Sequence, residues 1–135
     1  MLKPFLEALD ERVLVCDGAM GTMLYAKGVF INKSFDALNV TQPDLVGEVH
    51  QEYVRAGADI VETNTFGANR IKLGSFGIAD KLHAINEQGA RIARHALLPE
   101  NSQRRPGQGD PGLYCGARQG KRRGSGAKQA VNHVY

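Results

Sequence analysis

Twice near the start of the chain, a short apolar run breaks off into a polar loop that contains glycine. The first run is Arg12-Val13-Leu14-Val15-Cys16, which stops at Asp17-Gly18. The second is Ala58-Asp59-Ile60-Val61-Glu62, which stops at Thr63-Asn64-Thr65-Phe66-Gly67-Ala68-Asn69. Such runs read as buried strands, and the residues between them carry a helical signal. Pro43 and Asp44 suit a first helical turn, Thr41 suits the N-cap before them, and Leu45, Val46, Val49, Tyr53 and Val54 follow at helical spacing up to Gly57. Strand, helix, strand is the order of a parallel pair with a crossover, because parallel strands cannot be joined by a hairpin. The fold class is therefore α/β.

Two more helices flank this unit. Pro4 opens a short helix over residues 4–9. Another starts after Asp80 and puts Leu82, Ile85, Gly89, Ile92, Ala93 and Ala96 on one stripe, with Glu87, Arg91, Arg94 and His95 toward water. From about Pro99 the text changes to a Gly-, Arg-, Gln- and Ser-rich stretch with no apolar period, which reads as disordered. Residues 1–98 form the folded part and 99–135 a basic tail.

Charge follows the same division. Residues 1–98 hold ten Lys/Arg against twelve Asp/Glu, a net of −2, whereas residues 99–135 hold seven against two, a net of +5. A polyanion or nucleic-acid partner could use Arg104, Arg105, Arg118, Lys121, Arg122, Arg123 and Lys128. Only Tyr114 and Tyr135 offer stacking surfaces there, so nucleic-acid binding ranks well below a function for the folded part. No apolar run approaches the ~20 residues of a membrane span and no secretory signal opens the chain, so a cytoplasmic protein is expected. The two cysteines, Cys16 and Cys115, show no C-x-x-C spacing and are expected as reduced thiols.

In α/β units, ligand groups collect in loops at the C-terminal ends of the strands. Here that means residues 17–23 and 62–69, which should face one site. The turn Asp17-Gly18-Ala19-Met20-Gly21-Thr22 lacks the third glycine of a dinucleotide fingerprint and the Gly-Lys-Ser/Thr of a phosphate loop, so nucleotide binding is a poor reading. Glu62 offers a carboxylate for an ammonium, and Asn64 an amide for either charged group of an amino acid. Taken alone, both loops read equally well as ordinary turns. Cys16 is expected as a packed thiol, and His50, His83, His95 and His133 show no metal-ligand spacing.

Three phrases in order carry a resemblance: residues 17–24 (DGAMGTML), 39–46 (NVTQPDLV) and 56–66 (AGADIVETNTF). Together they resemble the homocysteine S-methyltransferase family, whose members include the N-terminal module of methionine synthase and bacterial forms fused to a methylenetetrahydrofolate reductase. The wording of residues 23–28 and 64–70 is most similar to the fused form. The resemblance covers roughly residues 10–98 and implies the first two strand-helix units of a (β/α)8 barrel.

It also implies methyl transfer to the thiol of homocysteine, giving methionine, with a zinc ion holding the sulfur as thiolate. In that family the zinc cysteines stand in an Asn-Cys and a Gly-Gly-Cys-Cys phrase, and neither occurs in this sequence. No metal ligand and no catalytic residue is therefore assigned. The resemblance carries over substrate binding to Asp17, Gly18, Glu62, Thr63 and Asn64. It also sets Gly112-Leu113-Tyr114-Cys115-Gly116 where the family has a strand of the type Val-Tyr-Ile-Ala-Gly, a wording that permitted codons reach by a one-base shift, which points to a frameshift upstream of Leu113. Two units of a barrel would leave an exposed sheet edge, so self-association and aggregation are expected.

Overall fold

The structure is a computed structural model and describes residues 5–98 together with the strand Tyr114–Gly116. Helix α1 spans Phe5–Glu11, ending later than the expected residue 9, while the expected start at residue 4 lies outside the described residues. Helix α2 spans Met20–Ala26 and α3 spans Leu38–Thr41. Helix α4 is Pro43–Ala56, strand β1 Ile60–Glu62 and α5 Arg70–Ser75. A 3-10 turn at Ala79–Lys81 leads into α6, Leu82–Ala96, and β2 is Tyr114–Gly116.

The central helix follows its sequence signals at one end and departs from them at the other. Pro43 occupies the first turn, where its missing N–H costs nothing, and Gly57 ends the helix at φ 113°, a left-handed conformation that suits glycine. Thr41 is not the N-cap. It closes α3 instead, where its Oγ1 donates to the Ala37 carbonyl at 3.2 Å. Val46, Val49, His50 and Val54 form the buried stripe of α4.

The first expected strand is reduced to a single parallel bridge between Cys16 and Ile60. A side chain explains why: the Val15 N–H donates to Asp59 Oδ2 at 3.1 Å rather than to a neighbouring carbonyl. The Val15 carbonyl in turn accepts both Asp59 N–H and Ile60 N–H, at 2.7 and 3.0 Å. This ladder is collapsed onto one residue, and Val13 and Val15 stand 86% and 55% exposed, not buried. Cys16 is likewise exposed, which corrects the expectation of a packed thiol.

Strand β1 pairs in parallel with β2, in the register Ile60 to Tyr114, Val61 to Cys115 and Glu62 to Gly116. These three residues belong to the segment expected as a disordered tail. The remainder of the 99–135 tail lies outside the described residues. No closed barrel forms among the described residues; the architecture is mixed, with helices packed on a short parallel sheet.

Three apolar clusters hold these parts together. Leu24, Leu38, Val46 and Val49 join α2, α3 and α4, with Val29 from the intervening loop. Val54, Val61, Ala93 and Leu97 fasten β1 between α4 and the end of α6. Ala68, Leu73 and Ile85 seat α5 against α6. The stripe on α6 is buried as its periodicity predicts, with Ile85, Gly89, Ala93 and Ala96 inward.

Candidate functional site

The two polar loops do meet. The Asp17 carboxylate accepts the Glu62 backbone N–H through both oxygens, at 3.1 Å each. The Asp17 N–H donates to the Ile60 carbonyl at 2.8 Å, so the loop that follows Cys16 is laid against the end of β1. Asp17 and Glu62 thus bring two carboxyl groups to neighbouring strand ends. Burial, reinforced by the negative charge of Glu62, raises the Asp17 carboxyl from 3.8 to about 6.

Gly18 keeps the loop low. A Cβ at this position would lie 2.9 Å from the Tyr53 hydroxyl oxygen, and that hydroxyl donates to the Ala19 carbonyl at 2.9 Å. Any larger residue would push the tyrosine of α4 off the loop it anchors.

Thr63 and Asn64 face a different task. Their side chains are buried, and Thr63 Oγ1 lies 2.7 Å from Thr65 Oγ1. Asn64 Nδ2 donates to the Phe35 carbonyl at 2.8 Å and to Asn39 Oδ1 at 3.0 Å. Asn39 Nδ2 returns bonds to the carbonyls of Asn64, at 2.7 Å, and Ile85, at 3.1 Å. The Asn64 amide nitrogen is thereby committed to holding the loop, leaving Asp17 and Glu62 as the pair of candidate groups with charge to offer a ligand. Asp36 supports the same loop from outside by accepting the Gly67 N–H at 2.9 Å.

One further group, His50, lies beneath the site. His50 is fully buried, its Nδ1 is 4.0 Å from Asp17 Oδ2, and neither ring nitrogen has a hydrogen-bond partner among the described residues. Burial lowers its pKa from 6.5 to about 4, so the ring is neutral at physiological pH. The signal that could have found it is its place on the stripe with Val46, Val49 and Val54. A separate open groove, lined by Pro43, Glu48, Arg91 and His95 among others, runs between α4 and α6 and contains none of the five candidate residues.

The zinc that the sequence resemblance implies does not fit the described residues. No three His, Cys, Asp or Glu side chains among them gather in a way that could hold a metal ion. Cys16 is a poor thiolate, because desolvation and then the charges of Asp17 and Glu62 raise its pKa. No helix among the described residues is long and apolar enough to cross a membrane.

The fold is mixed α/β, and the loop after Cys16 is laid against the end of β1, so that the Asp17 carboxylate holds the Glu62 backbone. The sequence pattern of homocysteine S-methyltransferases matches residues 14–105, and the chain belongs to that family. Methionine synthase of Mycobacterium tuberculosis is 43% identical over 95 residues, which are 66% of this chain and 8% of that protein. Methionine synthase of Mycobacterium leprae is 44% identical over 95 residues, with the same coverage of 66% and 8%. The metallated form of the homocysteine methyltransferase MmuM from Escherichia coli superposes with a TM-score of 0.68 at 30% identity, over 85% of this chain and 40% of that one. Its oxidized form superposes with a TM-score of 0.64 at 33% identity, over 75% and 37%. The chain therefore spans well under half the length of the proteins it matches.

Proposed function

We propose that this chain is the homocysteine-binding opening of a homocysteine S-methyltransferase domain, in which Asp17 and Glu62 receive the substrate ammonium. The carrying observation is the convergence of these two carboxyl groups, with Asp17 locked to the Glu62 backbone. Two like charges at adjacent strand ends repel, and a cation between them relieves that repulsion while gaining charge-assisted hydrogen bonds. Gly18 lets the loop lie close enough for its backbone to join the ligand, and Thr63 and Asn64 hold the second loop in shape. Strand β2 lies parallel to β1 beside Glu62, the place that the next strand of a barrel would take.

Methyl transfer to the homocysteine thiol belongs, in this reading, to a completed domain. The zinc chemistry of such a domain would activate the thiol as thiolate, with ligands that these 135 residues do not supply in the family's phrases. The chain is accordingly expected to bind homocysteine without turning it over.

Isothermal titration of the full chain with homocysteine, and with a des-amino analogue that keeps the thiol and carboxylate, tests the assignment. Homocysteine should bind, and the analogue should bind about tenfold more weakly or not at all, the size of one charge-assisted contact. Equal binding of the two ligands would remove the ammonium from the Asp17–Glu62 pair.

A further inference from the structure

The loop site has an unexplained group behind it. A neutral imidazole carries one N–H and one lone pair, and burying both without partners is costly. Every other buried polar side chain noted above is engaged: Asn39 with Asn64, Asp36 with Gly67, Asp59 with Arg12. His50 differs from these in having both ring nitrogens buried and unpartnered among the described residues. The Asp17 carboxylate lies beside it, with its side chain 5% exposed and its Oδ2 4.0 Å from Nδ1.

That distance is about an ångström longer than a hydrogen bond. Closing it would take a shift of the Asp17 carboxylate, whose two oxygens now share the Glu62 N–H at 3.1 Å, toward the ring. Asp17 is faced by Glu62 from β1 and by Tyr53 from α4, and neither supplies a positive charge to hold it ionised. His50 can supply a donor at the one carboxylate oxygen turned toward the helix.

We propose that His50 is a positioning residue for Asp17: its ring is held as the Nδ1–H tautomer, and Nδ1 donates to Asp17 Oδ2 when the carboxylate binds a ligand ammonium. This rests on the ammonium site described above. The tautomer leaves only a lone pair at Nε2, the cheaper of the two groups to bury unpaired. No charge is created on the ring, which suits a histidine whose burial disfavours protonation. The effect is to fix the orientation of the carboxylate and to favour its ionised form at the moment the cation arrives.

The test uses the full chain labelled with ¹⁵N-histidine. Two-bond ¹H–¹⁵N correlation spectra identify the tautomer of His50 directly, and a titration through the Asp17 midpoint at about 6 shows whether the ring senses that carboxyl. An Nδ1–H tautomer whose Nδ1 signal moves with Asp17 is expected. An Nε2–H tautomer with no response to Asp17 overturns the proposal, whether or not the chain binds homocysteine. Binding supplies the second arm. His50→Asn, whose amide nitrogen can stand near Nδ1, should retain affinity within about twofold, whereas His50→Leu should lose about tenfold. Equal affinities of the Asn and Leu variants would also overturn it. Absence of homocysteine binding by the unaltered chain would instead remove the ammonium site, with the tautomer still deciding the pairing of His50 and Asp17.

Discussion

Arg12 and Asp59 meet in a two-point ion pair, Nη1 to Oδ2 at 2.9 Å and Nη2 to Oδ1 at 2.8 Å. Asp59 Oδ2 accepts the Val15 N–H as well, so one buried carboxylate pins the whole segment that leads to Asp17. Asp59→Ala should lower the free energy of unfolding by about 2 kcal/mol, the scale of lost hydrogen bonds to a charged group. Arg12→Ala should cost less, because Arg12 is itself half-exposed, so water can replace its guanidinium at the carboxylate while the bond to Val15 persists. Urea denaturation of both variants checks the order, and a larger loss for Arg12→Ala would show that the ion pair, not the pin on Val15, holds the segment.

The close approach of α6 to the second loop leads to a second expectation. A Cβ on Gly89 would lie 2.7 Å from both Asn39 Nδ2 and Thr65 Cγ2. Gly→Ala inside a helix ordinarily gains about 1 kcal/mol of helix propensity. Here the overlap should outweigh that gain, at about 1–3 kcal/mol for forced repacking, and should break the Asn39–Asn64 network. Gly89→Ala should therefore be destabilised in thermal unfolding; a raised melting temperature would show that the network yields easily.

The titrations of Asp17 and His50 oppose each other. Asp17, raised from 3.8 to about 6, binds its proton more tightly in the fold, so its favourable contribution is present below the ordinary carboxylate range and is lost as pH climbs through about 6. His50, lowered from 6.5 to about 4, contributes stability above its unfolded value that is lost as pH falls toward about 4. The unaltered chain should show a shallow pH dependence between those values. His50→Asn removes one of the two opposing effects, so its stability relative to the unaltered chain should improve steadily as pH falls from about 6.5 to about 4. A difference independent of pH, measured by urea denaturation at matched ionic strength, would contradict the burial effect on His50.

The exposed valines beside the collapsed first strand predict association. Val13 and Val15 are 86% and 55% exposed on an open edge, and Phe66 is 82% exposed at the tip of the second loop. Val13→Lys should shift the chain toward monomer in sedimentation velocity while changing stability by no more than about 0.5 kcal/mol, as charged edge residues do. An unchanged distribution of species would place any self-association elsewhere.

Much of the architecture was legible because it rests on local signals. Pro43 and Gly57 bound α4, the apolar stripe of α6 is buried where its period places it, and the run through Ile60, Val61 and Glu62 is a strand. The short helices α2, α3 and α5 were not legible, since four to seven residues carry too little period to separate a helix from a turn. Thr41 shows the limit of capping rules: the same hydroxyl that suits an N-cap also suits a bond back to a carbonyl four residues earlier, and the packing of α3 selects the second.

The residue types and their order by themselves determined the helices α4 and α6, the strand β1 with the polar loop after it, and the family to which the phrases belong. Only the tertiary structure decided what each loop residue does. Asn64 and Asp17 are both polar residues after apolar runs, yet one is spent on Phe35 and Asn39 and the other turns to Glu62 and His50. That division depends on which groups the tertiary packing brings beside each side chain, a long-range consequence that no local spacing encodes. The same reason explains Val13, Val15 and Cys16: an apolar run predicts burial, but burial requires a covering neighbour, and the described residues supply none over that edge.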